Sequence, residues 1–357
     1  MTEGGLPVHN LFLTTGGHGG TCFFYRAIAW ADEIARESAS EIQQRNGIMI
    51  QTVTGPREPH ESGDTLIHEH IVCVSPTFSR VFGEAWFPRE KVIEAAAAQL
   101  QRLKDKYHVG LFVDATPPCL GRDVRLLEAI SQRSGVCIVA SSGMYFYPEF
   151  GLDRLPPELF ADYFAAECAD GIEGTSIRPG ILKCAAEGNA SLAGVEVMGR
   201  VQKLTGLPLF AHSRASQETG CAMLDIFERC GANLDRIVIG HAGDSGTADY
   251  ARKLLQRGCL VSIDRLFRGG TERKAAILAE LIAEGYEDRL FLSHDFTCYP
   301  IKACEKAHSQ QNPAELDGLC CIYDEVLPVL RNHGVTEMQI RKLLQDNPRR
   351  LLHNHLQ

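Results

Sequence analysis

The chain has 357 residues, of which 45% are hydrophobic and 23% charged, and a formal net charge of −9. That balance suits a soluble globular protein and argues against a nucleic-acid binder, which needs a basic patch. No stretch approaches the roughly 18 consecutive apolar residues that span a bilayer, so neither nucleic acid nor membrane is an expected partner.

Thirteen cysteines is a high count. The number is odd, and Cys73, Cys137 and Cys184 sit inside apolar, strand-like runs, where free thiols behave as small hydrophobes. The expected setting is a reducing cytoplasm rather than a disulfide-stapled secreted fold. The adjacent pair Cys320 and Cys321 and the run "CYPIKAC" (298–304) lack zinc-ribbon spacing.

Residues 1–48 read as an N-terminal extension. They hold "TTGGHGGT" and then a run with Phe24, Ile28, Ala31 and Ala35 at helical spacing. No basic segment precedes an apolar core there, so a signal peptide is not expected. The extension either caps the fold or lies upstream of a natural start at Met49, and residues 49–357 form the remaining domain.

From residue 65 onward, short β-branched runs alternate with helical stretches. "TLIHEHIVCV" (65–74) leads to "REKVIEAAAAQLQRLKDKY", "VGLFVDAT" (109–116) to "GRDVRLLEAISQRS", and "VCIVASSGMY" (136–145) to "PPELFADYFAAECADGI". "GILKCAAEG" (180–188), "LPLFAHS" (207–213), "RIVIGHAG" (236–243) and "CLVSIDR" (259–265) are each followed by a helical run, and "RLFLSHD" (289–295) by the closing helices. Runs of continuous apolar character mark strands buried on both faces. Eight such units in about 290 residues point to a (β/α)₈ TIM barrel. An open doubly wound sheet is the alternative, but no G-x-G-x-x-G follows the first strand.

Chemistry in such a barrel gathers at the C-terminal ends of the strands. His68 and His70 share one face of the first strand, with Glu69 on the other. Lys183 lies in the fourth strand, His212 ends the fifth, His241 the sixth and Asp295 the eighth. Each has an ordinary alternative: a lone histidine at a strand end is commonly a hydrogen-bonded structural residue, and Asp295 could cap a helix. Lys183 is harder to dismiss, because a buried lysine needs a partner. Taken jointly, the six favour a metal site. Imidazole and carboxylate suit zinc first, with cobalt, iron or manganese as alternatives, and two divalent ions sharing one hydroxide would use about this many ligands.

In chain order, "TLIHEH", "GILKCAAEG", "FAHSRAS", "IGHAGDS" and "LSHDF" resemble the successive motifs of the phosphotriesterase family within the amidohydrolase superfamily. The resemblance implies that His68 and His70 bind the more buried metal and His212 and His241 the second. It implies that Lys183 is N6-carboxylated and bridges both, and that Asp295 binds the first metal and accepts a proton from the bridging hydroxide. Some members carry glutamate in place of the lysine. "SIDR" (262–265) and "SSGMYFY" (141–147) are most similar to the phosphotriesterase-like lactonases, which implies that Arg265 and Tyr145 lie beside the substrate.

The function expected from that resemblance is hydrolysis of a lactone or related ester. An organophosphate triester is the alternative substrate, and a non-catalytic ligand-binding barrel is the third reading. The run after Arg265 enters a helix sooner than in the lactonases, which implies a differently shaped acyl channel. Residues 296–318 are the expected lid, and His308 within them is given no role. Members are often dimeric, so a homodimer is the expected assembly, with Trp30 and Trp86 as candidates for interface or packing.

Overall fold

A computed structural model describes residues 49–58, 63–147, 151–152, 154–188, 192–266, 270–299 and 318–353. The extension at 1–48, including Trp30, and most of the expected lid, including His308, lie outside the described residues.

Eight strands form one sheet in chain order: β1 (Asp64–Glu69), β2 (Val109–Asp114), β3 (Cys137–Gly143), β4 (Ile181–Ala186), β5 (Leu209–Ser213), β6 (Ile237–Gly240), β7 (Leu260–Ile263) and β8 (Leu290–Leu292). All neighbouring pairs are parallel. The segment after β8 closes the seam onto β1. Asp295 N donates to His68 O at 2.9 Å, His70 N to Phe296 O at 2.8 Å and Cys298 N to His70 O at 2.9 Å. The architecture is a (β/α)₈ TIM barrel.

Helices wrap the sheet: α1 (Pro76–Phe82), α2 (Arg89–Tyr107), α3 (Val124–Ser134), α4 (Pro157–Asp170), α5 (Leu192–Thr205), α6 (Thr219–Cys230), α7 (Asp249–Gln256) and α8 (Thr271–Ala283), with short helical turns closing the chain over 322–352. The run expected to be helical at 89–107 is helical over those residues. Its Val92, Ile93, Ala96, Ala97, Leu100 and Leu103 recur at three- and four-residue spacing and are buried against the sheet. It ends where His108 turns left-handed, at φ 60°.

The helix α1 was not legible from periodicity, because none of its residues is buried. Local chemistry forms it instead: Pro76 sits in its first turn, and Ser75 Oγ accepts from Phe78 N at 3.3 Å. Exposed Phe78 and Phe82 gather with Trp86, at ring separations of 5.5 to 6.1 Å.

Two apolar cores result. One fills the space between sheet and helices. The other lies inside the barrel, where Ile67, Leu111, Val113, Val139, Ile181, Phe210, Val238 and Phe291 meet, joined by Ile50, Leu351 and Leu352. Each large side chain so buried contributes about 1.5–3 kcal/mol. None of the eleven described cysteines is in a disulfide. Among the described residues, no helix is long and apolar enough to cross a membrane.

Candidate metal centre at the barrel mouth

The strands deliver polar side chains inward by two devices. The first is alternation. Ile181 packs in the interior core, so Lys183, two residues on, also points inward; likewise Phe210 and then His212. Lys183 is fully buried, with Nζ 5.2 Å from the Phe210 ring centre. In β1 the register slips between Leu66 and Glu69. Both Ile67 and His68 therefore reach the interior, the His68 ring 4.4 Å from Phe210.

The second device is a left-handed residue at the strand end. His241, Arg265 and Asp295, which follow β6, β7 and β8, have φ of 63°, 57° and 53°. Such conformations cost non-glycine residues about 1–3 kcal/mol each and persist where surrounding contacts impose them.

These devices bring the six expected ligands into one connected group. His68 Nε2 is 2.8 Å from Lys183 Nζ and 3.6 Å from Asp295 Oδ1. His70 Nε2 is 3.3 Å from the same Asp295 oxygen. His241 Nε2 is 2.7 Å from His212 Nδ1 and 3.8 Å from Asp295 Oδ2. The described members are buried, except Asp295 at 12% exposure.

The far edge of each ring is fixed by a hydrogen-bonding partner. His68 Nδ1 donates to Asp264 Oδ2 at 3.2 Å, and His241 Nδ1 to Asp264 Oδ1 at 2.6 Å. His212 Nε2 donates to Glu187 Oε1 at 2.5 Å, and His70 Nδ1 lies 2.8 Å from Thr116 Oγ1. Carboxylate oxygens accept, so these contacts leave unprotonated nitrogens on the inner edges of His68, His212 and His241. His212 and His241 then face each other at 2.7 Å, a contact that repels unless one ring takes up a second proton or a cation binds beside both nitrogens. This is the donor set and the orientation that a divalent metal requires. Asp264 also lies within ligand distance of His68 and His241. It meets their proton-bearing edges, so it orients the rings rather than joining the ligand set.

The electrostatics of His68 and His212 agree. Burial, then Lys183, pushes His68 down to about 3, and burial, then His241, holds His212 well below its ordinary value. Both are neutral imidazoles, as ligands must be. His70 departs from this pattern: burial opposes its charge, but Cys73 and Asp295 outweigh burial and push its pKa up to about 10, so it must release a proton to act as a ligand. Burial brings Lys183 down to about 8, within reach of the neutral amine that carboxylation needs. Burial works against ionisation of Asp295, yet His68 and His241 hold it well below the carboxylate range.

Arg265 and Tyr145 stand at the rim. Arg265 Nε donates to Asp295 Oδ2 at 2.9 Å, its Nη1 to Asp244 Oδ2 at 2.9 Å, and its Nη2 lies 3.2 Å from His241 Nε2. Tyr145 OH is 3.4 Å from His212 Nδ1, and burial raises its pKa, so it stays a hydroxyl donor. Several residues here had no role in the sequence reading. Asp264 was visible only as half of an Asp-Arg pair, though its inward parity with Leu260 was available. Thr116, Glu187 and Asp244 lie inside the quoted motifs, but no spacing rule marks a residue that holds another side chain.

A model of the phosphotriesterase family matches residues 48–352. The chain is 31% identical over 320 residues to the phosphotriesterase homology protein of Mycobacterium tuberculosis, covering 85% of this chain and 97% of that one. It is 30% identical over 307 residues to the aryldialkylphosphatase of Saccharolobus solfataricus, covering 82% and 96%. The solved structure of the phosphotriesterase from Mycobacterium tuberculosis superposes with a TM-score of 0.78 at 30% identity, over 85% of this chain and 98% of that one. The chain belongs to the phosphotriesterase family.

Proposed function

We propose that this member of the phosphotriesterase family is a binuclear-metal hydrolase of lactones or related carboxylic esters. The observation that carries the proposal is the orientation of the histidines. Partners on the outer edges of His68, His212 and His241 turn their unprotonated nitrogens inward, beside Lys183 and Asp295.

His68, His70 and Asp295 would hold one divalent cation, His212 and His241 the other, and carboxylated Lys183 would serve both. When bound, the pair of ions, zinc in the first instance, supplies hydroxide at neutral pH and polarises the carbonyl under attack. Asp295 accepts the proton released on attack and returns it to the leaving alkoxide. Arg265 keeps one Asp295 oxygen fixed while the other faces His68 and His70. Tyr145 offers its hydroxyl to the substrate oxygen beside His212.

The similarity to a protein named aryldialkylphosphatase supports a second reading, hydrolysis of organophosphate triesters by the same groups. Rates of metal-reconstituted protein on γ- and δ-lactones and on paraoxon, measured side by side, separate the two. Faster lactone turnover is expected. Turnover of paraoxon alone would replace the first reading by the second, and turnover of neither class would overturn both.

A further inference from the structure

Glu69 lies between two residues of the centre and faces away from it. Its carboxylate is fully buried, and both oxygens are engaged. Oε1 accepts from Ser293 Oγ, from His294 N and from His294 Nδ1, each at 2.8 Å. Oε2 accepts from Phe296 N at 3.0 Å. Every one of these donors belongs to a residue flanking Asp295.

The backbone at Asp295 is left-handed, a state that aspartate holds only where its neighbours impose it. Glu69 pins the residues on both sides of that turn. The chain is tied to β1 at the same place, through Asp295 N to His68 O and His70 N to Phe296 O. The imidazole of His294 extends the clamp, because its Nε2 accepts from Ile322 N at 3.3 Å. A buried carboxylate this near Asp295 is costly unless its hydrogen bonds are complete, and here they are.

We propose that Glu69 is a positioning residue for turnover. By bracketing Asp295 it holds the left-handed turn that presents that carboxylate to His68 and His70, and so governs the rate of the hydrolytic step without contacting metal or substrate. The inference rests on the proposed role of Asp295 as proton acceptor.

The test is Glu69→Gln in metal-saturated protein, assayed on a lactone. Glutamine has one acceptor oxygen and cannot serve donors on both sides of Asp295. A fall in kcat of roughly 10–100-fold is expected, with KM and bound metal unchanged. In an Asp295→Asn background the same change should cost no further rate. Full kcat in Glu69→Gln, or an equal loss in both backgrounds, would overturn the proposal. Unimpaired turnover in Asp295→Asn alone would instead remove its premise. Should Glu69→Gln not fold, His294 carries the test. His294→Asn keeps an N–H donor for Glu69 and should retain most of the kcat that His294→Leu loses; equal rates in the two would overturn the proposal.

Discussion

The Nδ1 atoms of His68 and His241 share one carboxylate, with Asp264 Oδ2 at 3.2 Å from the first and Oδ1 at 2.6 Å from the second. One side chain therefore orients a histidine assigned to each half of the centre. Asparagine can accept on one oxygen only, so Asp264→Asn must release one ring. The expected result is a loss of metal affinity of roughly 10–100-fold, read by competition with a chromophoric chelator. Wild-type affinity would show that the shared carboxylate does not hold the rings.

Lys183 is enclosed between His68 and Phe210. If its amine acts as a carbamate, a carboxylate of similar reach should replace it and an apolar chain should not. Lys183→Glu is expected to keep most of the bound metal, and Lys183→Met to lose much of it, both measured by elemental analysis. Equal metal in the two variants would rule out an anionic bridge at this position.

Arg265 serves Asp295, Asp244 and His241 at once from a left-handed backbone. Lysine keeps the charge but lacks the planar fork. Arg265→Lys should lower kcat/KM on a lactone by roughly 10–100-fold, since displacement of about 1 Å at a reacting group costs that much. A change confined to KM would assign Arg265 to substrate binding alone.

The barrel was legible because each strand is an apolar run and each long helix has a buried stripe. Positions 68, 70, 183, 212, 241 and 295 were legible because histidine, lysine and aspartate are conspicuous at the ends of such runs. What stayed hidden acts through geometry that no period records. His241, Arg265 and Asp295 turn inward by left-handed backbone, Asp264 works through a hydrogen bond to His68, 196 positions away, and Glu69 through hydrogen bonds to residues 224 to 227 positions away. The helix α1 was missed because it buries nothing.

Removal of metal should destabilise the fold without dissolving it. The interior core from Ile67 to Phe291 is apolar and independent of the mouth. A ligand that binds only the native state contributes about 2.7 kcal/mol at a hundredfold excess over its Kd, and its removal restores the facing lone pairs of His212 and His241. Chelator-treated protein is expected to keep its far-ultraviolet circular dichroism at 25 °C and to melt at a lower temperature, recovering when zinc is returned. An unchanged melting temperature would contradict metal binding at these histidines.

The most direct measurement is metal content per chain after reconstitution and gel filtration, for the wild type, His68→Ala and His241→Ala. Two divalent ions per wild-type chain, with a clear loss in each variant, is the predicted result. Less than one ion in the wild type, or the same content in all three proteins, would contradict a binuclear centre at the mouth of this barrel.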